Sequence, residues 1–183
     1  MEGAPNLVLA GFMGTGKSTV GRLLAARLQR PFVDTDALII QKAGMPISKI
    51  FAQHGEPHFR DIERQVCLEV AGTRDAVVAT GGGALLDPTT RAAFQAEGVV
   101  VLLTCERNAL VDRLEESAQR GARPLLGDDF ATQIDRLLAA RGPVYGSLPL
   151  QVDTTHLDPA EVAERVLDLY CQAAGQGVAA CKP

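Results

Sequence analysis

The sequence predicts an α/β protein, a doubly wound parallel sheet covered by helices on both faces, and three observations carry that prediction. Short apolar runs without a polar face recur along the chain at Leu7–Ala10, Val77–Ala79 and Val99–Leu103, with weaker ones at Phe32-Val33 and Leu150–Val152. Such unalternating runs suit strands buried on both faces. Between them lie stretches with apolar residues three or four apart, the spacing of one helix face. Two Asp-Pro pairs, Asp87-Pro88 and Asp158-Pro159, each set a capping side chain before a proline at the first helical position.

Taken in order, the first run ends at Gly11, and a helix follows with an apolar stripe of Val20, Leu23, Leu24 and Leu28. A short helix over Ala37–Lys42 comes after the second strand. Pro57 opens a helix whose core face is Phe59, Ile62, Val66 and Val70, and Ile134, Leu137 and Leu138 mark a later one that Arg141 closes before Gly142-Pro143. The chain is read as one domain over residues 1–183, with a tail frayed from about residue 173. In such a fold ligands gather at the carboxyl ends of the strands.

Composition narrows the function. A net charge of −4 and a pI near 5.4 argue against a general nucleic-acid or membrane surface. No apolar stretch reaches the ~18 residues of a membrane span. The cysteines Cys67, Cys105, Cys171 and Cys181 form no C-x-x-C and read as reduced thiols of a cytoplasmic protein. His54 and His58 are four apart, but Gly55 and Pro57 deny them one continuous helical face, so no metal site is expected there. With no apolar stripe left over after the core is assigned, a monomer is expected.

The segment GFMGTGKST follows the first strand and fits G-x-x-x-x-G-K-[ST] at Gly11, Gly16, Lys17 and Ser18. Polyphosphate binding needs those letters. The glycines let successive N–H groups point at oxygens, the lysine meets the β/γ charge, and the hydroxyl serves Mg²⁺. A dinucleotide fingerprint fits less well, since Thr19 stands where its third small residue must pack. A glycine-rich turn with a chance lysine is the bland alternative. No N-K-x-D segment signals guanine, so ATP is favoured.

Four further segments ask for more than ATP hydrolysis. Asp34-Thr35-Asp36 ends the second strand, and on extended chain its two carboxylates face opposite sides, one toward Mg²⁺ and one toward a substrate hydroxyl. Asp36 as a plain helix cap is the rival. Arg60 and Glu63 share a helix face and could clamp a carboxylate, or form only a solvated ion pair. Gly81-Gly82-Gly83 lets a ligand approach the backbone, or makes a tight turn. The stretch from Arg120 to Asp129 reads as a mobile lid (about residues 119–129) carrying Arg123, and Arg141 adds another cation or merely complements a helix end.

GFMGTGKST, DTD, the F-A-x-x-G-E-x-x-F-R-x-x-E stretch from Phe51 to Glu63, TGGG, RPLL and Arg141-x-Pro-x-Tyr145 together resemble shikimate kinase, in order and spacing, from Leu7 to about Leu169. The resemblance implies a P-loop kinase of the nucleoside-monophosphate-kinase-like kind, with a five-stranded parallel sheet in order 2-3-1-4-5. It implies ATP- and Mg²⁺-dependent phosphorylation of the 3-hydroxyl of shikimate. Carried over, Gly14, Thr15, Gly16, Lys17, Ser18 and Thr19 would cradle the phosphates, with Ser18 and, through water, Asp34 on Mg²⁺. Asp36 would hold the substrate hydroxyls and take the proton. Arg60 and Arg141 would grip the carboxylate opposite Gly82 and Gly83, with Phe51, Phe59 and Glu63 shaping the pocket. Arg123 would meet the transferred phosphate, and Lys17, Asp36 and Arg123 would be the catalytic set. Arg113 and the Asp158-Pro159 turn would flank adenine. The sequence departs from the pattern at Gly146-Ser147-Leu148-Pro149 and at Leu157. A kinase for another polyol acid such as gluconate would share the loop and lid but not the DTD/FR/GGG set. A non-catalytic nucleotide-binding module would tolerate loss of Asp36 or Arg123.

Overall fold

Every strand of the sheet runs the same way. The computed structural model describes residues 3–119 and 130–175. It contains strands β1 (Asn6–Gly11), β2 (Phe32–Asp34), β3 (Val77–Ala79), β4 (Gly98–Thr104) and β5 (Gln151–Asp153), in the order β2-β3-β1-β4-β5. Helices α1 (Lys17–Leu28), α2 (Thr35–Ala43), α3 (Ile47–Ala71), α4 (Pro88–Glu97), α5 (Arg107–Gln119), α6 (Phe130–Gly146) and α7 (Pro159–Ala173) connect and cover them. The expected strand order and all five expected strands are therefore present. Arg123 and the body of the expected lid lie outside the described residues, as does most of the expected tail.

The parity of the central strands explains their lack of a polar face. Along β1, Leu7 and Leu9 belong to one apolar cluster, while Val8 and Ala10 belong to the other. Val101 and Leu103 of β4 join the first pair, and Val100 and Leu102 the second. One cluster packs under α1 and α7 through Val20, Leu24, Val166 and Tyr170; the other lies under α3 and α4 through Phe59, Val66, Val70 and Phe94. Alternate side chains of one strand thus bury on opposite faces, and positions 7–10 and 99–103 are all apolar.

Two stripe residues are corrected by the packing. Leu23 and Leu137 are exposed, at 44% and 37%. The stripe of α1 narrows to Val20, Leu24 and Leu28, with Gly21 facing the Phe32 ring of β2. That of α6 narrows to Ile134 and Leu138.

Helix punctuation follows the sequence closely. Asp87 caps α4 by accepting from the Thr90 N–H at 2.9 Å. Asp158 caps α7 in a reciprocal capping box with Glu161. Helix α3 is broken at Gly55, whose φ of 79° and ψ of 172° are not helical, so Pro57 does open a new helical segment. The same kink lets the His54 and His58 rings meet at 4.9 Å, yet among the described residues no group of three or more metal-ligating side chains exists. Arg141 does not close its helix: α6 continues through Pro143 to Gly146. The expectation of four reduced thiols also fails. Cys67 and Cys105 are free thiols, whereas Cys171 is disulfide-bonded. Among the described residues no helix is long and apolar enough to cross a membrane.

A parallel sheet brings all its carboxyl ends to one edge. Gly11 of β1, Asp34 of β2 and the glycines after β3 therefore lie on one rim, with β1 central between β3 and β4.

Candidate active site

The loop after β1 turns through glycines that a side chain would obstruct. Gly14 and Gly16 have φ of 83° and 90°, in the left-handed region, and Gly16 caps α1 without a side-chain bond. The first-turn N–H groups of α1 are thus left facing the rim, the arrangement that receives phosphate. Inside the loop, the Thr15 hydroxyl donates to Phe12 O at 2.8 Å. Lys17 lies 9% exposed, its Nζ donating to Gly11 O at 2.9 Å and Phe12 O at 2.8 Å. These bonds fold the ammonium over its own loop, within the cradle.

The DTD segment is not extended throughout. Asp34 ends β2 and caps α2, accepting the Asp36 N–H at 3.1 Å, while its other oxygen accepts from Ser18 Oγ at 2.8 Å. Asp36 stands in the first helical turn. The two carboxylates still serve different neighbours, but the helix start separates them, and the cap is Asp34, not Asp36. Thr35 between them is wholly buried. Its Oγ1 accepts the Gly81 N–H at 2.9 Å and hydrogen-bonds the Cys67 thiol, tying α2 to the glycine loop.

The three glycines are pressed upon from three sides. A Cβ on Gly81 would stand 2.7 Å from Asp36 Oδ1 and 2.9 Å from Glu63 Oε1. On Gly82 it would stand 3.0 Å from Arg141 Nη1, and on Gly83 2.6 Å from Arg60 Nη1. Each glycine thus leaves room for one or two of the functional groups singled out from the sequence, and together they bring two arginines and two acids to one place. Arg60 pairs with buried Glu63 at 2.7 Å and with Glu56 at 2.9 Å. Burial pushes the Glu63 carboxyl above its usual range, against the pull of Arg60. The Phe51 and Phe59 rings meet at 4.6 Å, and the Arg60 guanidinium lies over the Phe59 ring at 5.2 Å. A cavity of about 210 Å³ flanks the pair, between Glu56, Arg60, Glu63, Gly83, Asp87 and Thr90.

Arg141 is the most exacting member. It is 6% exposed, stacks over the Phe12 ring at 4.7 Å, and has Nε and Nη1 buried with no hydrogen-bond partner among the described residues. A buried guanidinium with two idle donors is costly unless an anion completes it.

On the far side of the loop, Arg113 of α5 donates to Thr154 Oγ1 at 3.1 Å and to Thr154 O at 2.6 Å. It is thereby moored to the β5–α7 connection that leads to Asp158-Pro159. Leu157 packs into the α1/α7 cluster. At the other departure from the pattern, Leu148 is buried and its N–H bonds Tyr145 O at 3.1 Å, so this one side chain enters the core while Gly146, Ser147 and Pro149 stay exposed.

A family model described as Shikimate kinase matches residues 13–170. The chain belongs to the shikimate kinase family. A shikimate kinase of Geobacter metallireducens is 43% identical over 162 residues, covering 88% of this chain and 89% of that one. The solved shikimate kinase of Acinetobacter baumannii, in complex with shikimate, superposes with a TM-score of 0.84 at 34% identity, covering 93% and 94% of the two chains. A gluconokinase from Sinorhizobium meliloti aligns over 96% of each chain with a TM-score of 0.60, but at 18% identity it shares the fold alone. As a member of the shikimate kinase family the chain is a phosphotransferase with ATP as co-substrate.

The described residues place the phosphate loop, Asp34, Asp36, Phe59, Arg60, Glu63, Gly82, Gly83 and Arg141 along one rim, with Phe51 against Phe59, and moor Arg113 to the connection that leads to Pro159. Arg123 lies outside them. Two organising residues, Thr35 and Phe12, were not singled out from the sequence. The signal for Thr35 was its position between two rim carboxylates; Phe12, inside the loop motif, read as an unspecified letter.

Proposed function

We propose that this protein transfers the γ-phosphoryl group of ATP to the 3-hydroxyl of shikimate, giving shikimate 3-phosphate and ADP on the way to chorismate and the aromatic amino acids. The observation that carries the reading is the buried Arg141, with two idle donors, standing against Gly82 while Arg60 stands against Gly83. Two guanidinium groups on one rim make a seat for a small carboxylate, and Arg binds that group bidentately.

Opposite this seat, Asp36 holds the acceptor hydroxyl and takes its proton as the oxygen attacks the γ-phosphorus and ADP departs. The amides of Gly14 to Thr19, with Lys17, cradle the β- and γ-phosphates, and Arg123 meets the transferred group. Ser18 and Asp34 offer hard oxygen donors already joined at 2.8 Å, a set that fits Mg²⁺ and would hold it directly and through water. When bound, the ion supplies positive charge to the phosphate oxygens. Arg113 and the Asp158-Pro159 turn flank the adenine. The whole reaction is positioning and charge stabilisation, which suits a site made of cations and backbone donors. We assign the protein to the cytoplasm on its membership of the shikimate kinase family, against the Cys171 disulfide, and read it as a monomer of one domain with no nucleic-acid or membrane partner on its acidic balance; light scattering on a sizing column tests the monomer.

One coupled assay tests the reaction. ATP with shikimate should release ADP at an enzymatic rate, while ATP with gluconate, or ATP alone, should not. Turnover with gluconate alone, or with neither acid, would overturn the proposal.

A further inference from the structure

Tyr145 stands one helical turn after Arg141 on α6, so the two side chains share a face. Its hydroxyl donates to the carbonyl of Gly82 at 2.5 Å, the glycine against which Arg141 Nη1 rests. The ring packs between two apolar clusters, the one under α3 and α4 and the one formed by Phe12, Leu110, Leu114 and Ile134. Burial pushes the phenol above its ordinary range even though the Arg141 charge and its hydrogen bond to the phenol oxygen work against this, so the hydroxyl keeps its proton and remains a donor.

Between the two residues lies Pro143, which has no N–H and removes a rung of the α6 ladder. The turn carrying Arg141 is therefore the least self-supporting part of the helix. Arg141 has few restraints apart from Tyr145: its Nε and Nη1 bond nothing among the described residues, its guanidinium lies over the face of Phe12, and it donates to the Tyr145 hydroxyl. The Tyr145 hydroxyl ties this turn to the sheet rim by donating to Gly82 O, and the same oxygen accepts from Arg141. We infer that Tyr145 is a positioning residue: by latching α6 to the glycine loop it sets where the Arg141 guanidinium stands, and so how well the site discriminates a carboxylate. The inference deepens the proposed function and rests on its reading of Arg141.

The test compares the full-length enzyme with Tyr145→Phe and Arg141→Lys, using shikimate and its uncharged carboxamide. Tyr145→Phe keeps the ring but leaves the Gly82 carbonyl without its donor, a loss that should raise KM for shikimate roughly tenfold. KM for ATP and kcat should stay within about twofold. The preference for the acid over the amide should shrink in Tyr145→Phe, and adding Tyr145→Phe to Arg141→Lys should shrink it no further than Arg141→Lys alone. If Tyr145→Phe folds poorly, 4-aminophenylalanine at position 145 keeps a para donor and should restore the wild-type KM. An unchanged KM for shikimate, an equal rise for acid and amide, or no rescue by the amino side chain would overturn the inference. If Arg141→Lys itself leaves the acid/amide preference intact, the carboxylate reading of Arg141 fails instead.

Discussion

Ser18 Oγ donates to Asp34 Oδ2 across 2.8 Å, joining the first turn of α1 to the last residue of β2. The same carboxylate caps α2 through the Asp36 N–H. One side chain thus links the phosphate loop to the helix that carries Asp36. Asn is as good a helix cap as Asp, so Asp34→Asn should cost at most about 1 kcal/mol of stability. It removes the negative charge, however, and the Mg²⁺ concentration needed for half-maximal rate should rise at least about tenfold. Asp36→Asn should leave that requirement alone and cut kcat by on the order of 10²–10⁴, the worth of a general base. Magnesium titrations of both variants check the division; equal shifts would refute it.

Gly83→Ala separates folding from binding. The three atoms nearest the new methyl all belong to the end of a long arginine side chain, with Arg60 Nη1 closest. The guanidinium can swing aside, so the melting temperature should change by no more than about 3 °C. Displacing it spoils the carboxylate seat, and KM for shikimate should rise at least about tenfold. A large fall in melting temperature with unchanged KM would show that Arg60 is structural there.

Glu63 sets a pH dependence of stability. Because burial raises its folded-state pKa despite Arg60, folding favours the protonated acid. The stability this contributes is complete below the unfolded value, about 4.3, and is lost as pH rises through the raised folded value. The stability of wild type relative to Glu63→Gln should therefore be greatest at low pH and decline with rising pH. Chemical denaturation at a series of pH values checks the sign, and an opposite trend would mean that Arg60 outweighs burial.

Arg123 falls in a segment with glycines at 121 and 127. If it meets the charge on the transferred phosphoryl group it acts as an arginine finger, worth on the order of 10³–10⁵ in kcat. Arg123→Ala should then lower kcat at least about a thousandfold, with shikimate affinity nearly unchanged. Single-turnover kinetics would show it, and a rate within about tenfold of wild type would make Arg123 a surface residue.

Much of the site was legible because its chemistry is local. The phosphate loop needs glycines, a lysine and a hydroxyl in consecutive order, and those letters sit together between Gly11 and Ser18. The caps at Asp87 and Asp158 are equally local, each answered within three residues of chain. Asp34 and Asp36 do meet different protein neighbours, but not because both lie on extended backbone. Alternation along a strand could be read from spacing, whereas the start of α2 at Thr35 depends on where the strand is released. Leu23 misled because an apolar letter at helical spacing says nothing of how wide the covered stripe is.

From its residues alone the chain determines a parallel α/β sheet, a polyphosphate cradle and a short list of acids and arginines, since periodicity, turn chemistry and motif spacing are properties of neighbouring residues. Only the tertiary structure decided which of those groups converge. Asp36, Glu63, Arg60 and Arg141 come from three helices, and they meet because each faces a glycine of one loop that lacks the side chain to keep it out. The bond between Tyr145 and Gly82 spans 63 residues of chain. Close approach over such separations is set by the packing of helices onto a common sheet rim, which no local pattern in the sequence encodes.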